Sequence, residues 1–285
     1  MICGAEQGME GGEAPVQSAL LKASSGILHA FSTRKGGVSK PPFATLNLGQ
    51  GVGDSPAAVE ENRRRFFGAL GIEEGQVVRA RQVHGDGVLD VDVPRTRQVG
   101  FPRSLVDERA EFDALITRLH GLALVVSTAD CVPVLIHDPV RGAIAAIHAG
   151  WRGTAKGIAV RALTAMREVY GTDPSTCLVA IGPCIHGCCF EVDAVVVEAM
   201  ATTLPNPETY TKPSRSDHWL LDLVGVNRAA LEMAGVRPDR IDDVGLCTSC
   251  RNDLFFSHRA EKGRTGRMMS FILLKGASRE GQRQG

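Results

Sequence analysis

Residues 122–137 read LALVVSTADCVPVLIH, and residues 143–153 read AIAAIHAGWRG. Both are runs of apolar, often β-branched side chains, more continuous than a strand with one wet face would show. Thr128, Asp130 and Pro133 interrupt the first run. It therefore reads as two paired buried strands, 122–127 and 132–137, and not as a membrane span. The second run passes into a helical period, with Ile158, Ala162, Met166 and Val169 on one stripe and Gly171 as the stop. A strand over 143–148, a tight turn over 149–153, a helix over 154–170 and a returning strand over 178–181 make one βαβ unit. Strands and helices mixed in this way imply an α/β or α+β fold: a mixed β-sheet core flanked by helices.

The flanks extend the same pattern. Ser55-Pro56 opens a helix that Gly71 closes, with Val59, Phe66, Phe67 and Leu70 on its apolar side. A strand over 76–84 would place Val78, Ala80, Gln82 and His84 on one face. Helices near 193–203 and 223–234, and strands near Val244 and 270–274, complete the sheet protein. Residues 93–109 mix Pro, Arg and Gly without period and read as a long loop. Residues 1–25 read as a mobile leader and 276–285 as a polar tail, leaving 26–275 as a single large domain.

Composition narrows the function. The 285 residues carry 32 basic and 32 acidic side chains, with 44% hydrophobic and 22% charged residues, an ordinary globular mixture. No basic excess points to nucleic acid. The N-terminus shows no basic segment followed by an apolar one, so a cytoplasmic location is expected. Eight cysteines in that setting suggest reduced thiols, and hence metal or redox chemistry.

Three segments pair a metal ligand with a strand end or turn: Gln82-Val83-His84-Gly85, Thr128-Ala129-Asp130-Cys131 and His148-Ala149-Gly150-Trp151-Arg152-Gly153. Two imidazoles and one thiolate suit zinc, and three protein ligands leave a fourth position for water or substrate. Their wide separations match no compact zinc finger, so the residues alone read more readily as a core thiol and structural histidines. A cysteine hydrolase with Cys131 as nucleophile and His148 as base is a competing arrangement. Asp130 is the carboxylate nearest a ligand, either an acid–base group or a turn cap, and its neighbour Cys131 shares its face only if the backbone kinks. Arg34-Lys35-Gly36-Gly37, with Asn47, reads either as a phosphate cradle or as a plain turn. Arg152 would meet an anionic substrate group or pair with a carboxylate.

The glycines of Gly49-Gln50-Gly51-Val52-Gly53 lack the spacing of a dinucleotide fingerprint, and neither a Walker A sequence nor a Gly-x-Ser-x-Gly elbow occurs. Cys247-x-x-Cys250, with Cys184, Cys188 and Cys189, could suggest a second zinc site. Clean pairs are missing and Cys188-Cys189 are adjacent, so these read as incidental thiols.

The three ligand segments resemble the signature of the YfiH-type family, also described as multicopper polyphenol oxidase or laccase-like proteins. The similarity runs through Phe31-Ser32-Thr33-Arg34, Gly36-Gly37-Val38-Ser39, Leu46-Asn47-Leu48-Gly49 and Glu61-Asn62-Arg63. It continues through Ile181-Gly182-Pro183-Cys184, Phe190-Glu191-Val192, Asp222-Leu223, Cys247-Thr248 and Phe256-Ser257-His258-Arg259. His186-Gly187 stands where the family more often has Gly-Pro, and Cys250 is a further departure. The resemblance implies a YfiH/CNF-like fold and a catalytic zinc on His84, Cys131 and His148, with copper as the other metal the family description raises. It also implies purine nucleoside and phosphate as substrates: phosphorolysis of adenosine, inosine and S-methyl-5'-thioadenosine, with deamination of adenosine. A hydrolase of cell-wall precursor peptides and a copper polyphenol oxidase are the alternatives. Against copper, no His-x-His pair occurs and the remaining histidines are scattered.

Overall fold

The continuous apolar runs become strands that are covered on both faces. The structure, a computed structural model, describes residues 14–92, 106–204 and 206–276. One sheet contains, in order, β1 (Ile27–Phe31), β14 (Met268–Leu274), β6 (Ala123–Thr128), β2 (Val77–Arg81) and β4 (Val106–Glu111). The other runs β13 (Ile241–Asp243), β9 (Leu178–Ile181), β7 (Val132–Asp138), β8 (Ala143–Ala149), β5 (Ala114–Thr117) and β3 (Val88–Asp90). A small third sheet joins β10 (Glu191–Asp193), β12 (His218–Leu221) and β11 (Thr211–Pro213). Helices α1 (Ala19–Lys22), α2 (Pro56–Gly68), α3 (Trp151–Ala155), α4 (Ile158–Tyr170), α5 (Ala194–Met200) and α6 (Leu223–Met233) complete the described residues.

Alternation along each strand sorts its side chains into layers. Leu135, Ile144, Ala146 and Ala180 meet Leu124, Val126 and Ile272 in a core between the two large sheets. Their neighbours Val134, Ile136, Ala145, Ile147 and Val179 turn the other way, onto Ala162, Met166 and Leu231 of α4 and α6. On the far side, Val125 and Phe271 pack under Phe66 and Phe67 of α2, with ring centroids of Phe271 6.1 and 6.2 Å from those two. The result is four layers, helix, sheet, sheet and helices. The mixed-sheet α/β expectation holds, and no described helix is long and apolar enough to cross a membrane.

Several local expectations change. The strand placed over 76–84 ends at Arg81, because the Gln82 side chain bridges to Ser127, donating to its carbonyl (2.8 Å) and accepting from its N–H (2.7 Å). The helix expected over 154–170 starts at Trp151 and breaks at Gly157, whose left-handed backbone (φ 73°) re-aims the chain into α4. The βαβ unit is present, but β7 lies between β8 and β9, antiparallel to both. The leader is only partly a leader. Residues 14–25 dock on the sheets through a buried Leu21 and a Val16–Phe31 bridge, while residues 1–13 lie outside the described residues. Of the loop read over 93–109, residues 106–109 belong to β4 and the others lie outside the described residues, as does the tail from 277.

This layering positions the site. Along β8, His148 shares the face of Ile144 and Ala146, so it continues the inter-sheet core at the end of the strand. Cys131 precedes β7 in the same phase as Leu135. The two sheets bring their ligands to one mouth.

Candidate metal centre

His84, Cys131 and His148 offer ligand atoms that all lie within 4.8 Å of one another. Cys131 Sγ is 3.9 Å from His84 Nε2, and the two imidazoles meet edge to face with centroids 4.8 Å apart. Two of these placements depend on left-handed backbone, His84 itself (φ 57°) and Asp130 (φ 86°). The kink at Asp130 allows both Asp130 and Cys131 to face the site. Asp130 is held there by Thr248 Oγ1 (2.6 Å) and the Arg259 N–H (2.7 Å), which donate to its two oxygens.

Asp113 is the residue that sequence reasoning missed. Its carboxylate lies buried at the start of β5 and accepts from the N–H groups of Val83 (3.2 Å), His84 (3.0 Å) and Gly85 (2.7 Å). It also contacts His148 Nδ1 at 2.7 Å. A carboxylate only accepts, so Nδ1 carries the proton and Nε2 is left for the site. Burial alone would raise the Asp113 carboxyl, but His148 and the backbone donors outweigh it and hold it below its ordinary value. The only sequence signal was an acidic residue directly preceding an apolar strand, in Glu111-Phe112-Asp113-Ala114.

The electrostatics favour a thiolate. Burial pushes the Cys131 thiol up, yet His148 and His84 more than reverse this and bring it down to about 6. For His148, burial opposes the charged ring, while the Cys131 thiolate and Asp113 raise it to about 9. A thiolate with two imidazoles, one of them oriented by a carboxylate, is a donor set that fits zinc. The space around it fits as well. A Cβ at Gly150 would stand 2.9 Å from His84 Cδ2 and 3.1 Å from Cys131 Sγ, so that position must lack a side chain.

The three ligands open onto a cavity of about 980 Å³, lined also by Asp130, Trp151, Arg152, Phe190 and Arg259. Arg152 therefore reaches the site, with its guanidinium stacked 4.2 Å from the Trp151 ring centroid. Arg34 and Asn47, expected as a phosphate cradle, do not line it. Arg34 donates to Ala44 O (2.9 Å) and Asn252 O (2.8 Å), pairs with Glu261 (3.0 Å) and lies over Phe256. Asn47 is buried, bonded to Gly49, Asp54 and the Arg267 N–H. Asn62 donates to Ser39 Oγ, Thr45 O and Asn47 O, so these motif residues brace the scaffold. The expectation of incidental thiols also changes. The sulfurs of Cys188, Cys189, Cys247 and Cys250 also lie within 4.8 Å of one another, and Cys184 is not part of this group. The histidines other than His84 and His148 enter no metal-ligand group among the described residues.

Residues 28–275 match the family described as "Multi-copper polyphenol oxidoreductase laccase". The chain is 38% identical to the "Purine nucleoside phosphorylase YlmD" of Geobacillus stearothermophilus, over 87% of this chain and 90% of that one. It is likewise 38% identical to a "Purine nucleoside phosphorylase" of Deinococcus radiodurans, over 92% and 95% of the two chains. Among solved structures, YlmD of Geobacillus stearothermophilus superposes with a TM-score of 0.80 at 38% identity, covering 88% of this chain and 93% of that one. The Bacillus licheniformis protein YfiH gives a TM-score of 0.80 at 37% identity, covering 87% and 93%. A match over most of the chain, with fold and sequence in agreement, makes this chain a member of the YfiH-type, laccase-like family.

Proposed function

We propose that the chain is a purine nucleoside phosphorylase acting on adenosine, inosine and S-methyl-5'-thioadenosine, with deamination of adenosine as a side activity, at a zinc held by His84, Cys131 and His148. The relatives' names support the reaction class. The observation that carries the reading to this site is the charge of the cavity: Arg63, Arg79, Arg81, Arg152, Arg259 and Arg267 line it, against Asp130 as the one lining carboxylate among the described residues. Phosphorolysis takes in a phosphate and releases a sugar phosphate, and guanidinium groups recognise both.

Arg152 lies over Trp151 and Arg259 over Phe190, the latter at 5.5 Å, so one wall presents flat apolar faces and positive charge together. That suits a purine stacked beside its reacting phosphate. The arginines hold phosphate against the ribose C1′, where it attacks as the base departs. When bound, zinc would supply a Lewis acid for polarising a substrate oxygen or acidifying water. Asp113 keeps the Nδ1 proton of His148. Asp130 already accepts at both oxygens, so we assign it to holding the 248–259 segment in place rather than to carrying protons.

Incubation of adenosine with phosphate should yield adenine and ribose 1-phosphate, and without phosphate should yield inosine alone. No product under either condition would overturn the reading. Cys131→Ala should remove the zinc of this site and turnover together. Arg152→Ala should raise the KM for phosphate about 10- to 100-fold, the scale of one or two hydrogen bonds to a charged group. An unchanged phosphate KM would remove Arg152 from the binding site.

One observation favours a second reading. Cys131, His148 and Asp113 also stand in the order nucleophile, base and orienting carboxylate, the arrangement of a cysteine hydrolase of cell-wall precursor peptides. The two readings exclude each other at Cys131. Zinc-loaded protein should protect Cys131 from alkylation by iodoacetamide, and rapid alkylation with zinc still bound would favour the hydrolase.

A further inference from the structure

Four thiols that do not line the cavity converge on one another and take no part in the proposed reaction. Cys188 and Cys189 are adjacent, and in an extended strand they would point to opposite faces. Here they lie in a turn closed by the N–H groups of Cys189 and Phe190, which both donate to His186 O (2.9 Å each). Facing them, the Arg251 N–H donates to Cys247 O (2.9 Å) and wraps Cys247-x-x-Cys250 into one helical turn. Cys189 Sγ is 3.3 Å and Cys188 Sγ 3.6 Å from Cys250 Sγ, and all four sulfurs lie within 4.8 Å of one another.

These distances separate two chemistries. A disulfide needs its sulfurs about 2.05 Å apart. A tetrahedral zinc with Zn–S bonds of about 2.3 Å needs them roughly 3.8 Å apart. At 3.3 and 3.6 Å the two shortest contacts are far too long for a disulfide and close to the second spacing. The His186 N–H donates to Cys247 Sγ (3.5 Å), a contact that supports negative charge on that sulfur. Cys188 and Cys250 are exposed, so water can solvate the surplus charge of four thiolates around one dication.

We propose that Cys188, Cys189, Cys247 and Cys250 bind a structural zinc ion that fastens the turn at 186–190 to the turn at 247–254. Four protein ligands close the coordination sphere, which makes the site structural and not catalytic. The segments leading into the two turns already meet through backbone, Cys184 N donating to Leu246 O (3.2 Å) and Thr248 N to Cys184 O (2.9 Å). Phe190 ends one turn, His258 and Arg259 follow the other, and all three line the cavity. The metal thus ties together two parts of the wall around the substrate. The inference is independent of the nucleoside chemistry and of the first zinc site.

Metal content of the full-length chain, purified under reducing conditions, tests it. The wild type should hold two zinc ions per chain, Cys131→Ala one, and the double variant Cys188→Ser/Cys250→Ser one. Replacing those two exposed thiols leaves the core untouched. A wild type with no zinc that survives Cys131→Ala would overturn the proposal, whereas one zinc kept in Cys131→Ala and lost in the double variant would support it and sink the first site instead. Cobalt(II) loading of the wild type supplies a measurement that needs no variant. A tetrathiolate centre should give several times the thiolate-to-cobalt charge-transfer absorption of a site with one thiolate. An intensity accounting for a single thiolate, or a disulfide mapped to these cysteines in the reduced preparation, would refute it.

Discussion

The two oxygens of Asp113 accept four hydrogen bonds, from three consecutive backbone N–H groups and from His148 Nδ1. An amide in its place would turn an NH2 group onto donors. Asp113→Asn should therefore weaken zinc binding about 10- to 100-fold, the usual cost of losing the partner of a ligating histidine. Competition with a chromophoric chelator would measure it, and wild-type affinity would show that His148 needs no such support. Gly150 tests the same centre by volume. A methyl group there meets His84 and Cys131 at about contact-breaking distance, so Gly150→Ala should lower the zinc content while the circular dichroism stays native. Neither effect is legible from residue types. The sequence showed which side chains could ligate, but Asp113 is a ligand of nothing and gives no spacing signal.

At the scale of elements, period and length decided what was legible. The long runs around β6, β7 and β8 and the stripe of α4 are visible because several side chains repeat, although Val169, expected on that stripe, is exposed and Tyr170 is buried in its place. Strands of three or four residues, such as β3, β10 and β13, are too short to show a period. Helix α1 is the clearest case, four residues capped by Ser18, whose side chain accepts from the Leu21 N–H (3.2 Å). It lies in a segment that composition marks as a leader, yet Leu21 is fully buried in the inter-sheet core. Leu21→Ala should destabilise the protein by about 2–5 kcal/mol, the range for a buried leucine truncation. Urea unfolding would report it, and a loss below about 1 kcal/mol, the scale of a surface change, would mean that α1 does not dock.

For the whole molecule, the docking of that segment has a consequence for pH. His29 on β1 is buried and accepts from the Ser18 N–H through Nε2 (3.0 Å), which requires a neutral ring. Burial lowers its pKa from 6.5 to about 4, against the opposing charge of Asp242. Burial lowers His137 as well. A histidine whose folded pKa is depressed lends stability fully above pH 6.5, and that stability is lost as the pH falls toward 4. The shift at His29 corresponds to roughly 3 kcal/mol over that window. His29→Gln should therefore show a shallower fall of the unfolding free energy between pH 6.5 and 4 than the wild type, and parallel slopes would contradict the assignment. The sequence by itself determined the mixed α/β class, the main buried strands and the three ligand types, because local periodicity and side-chain chemistry are written along the chain. Only the tertiary structure decided which of the motif residues meet. It withdrew Arg34 and Asn47 into the scaffold, brought Asp113 under His148 and gathered four thiols into one cluster, because convergence depends on how two sheets stack and where the chain turns left-handed. Those are long-range packing choices, which no spacing along a single chain records.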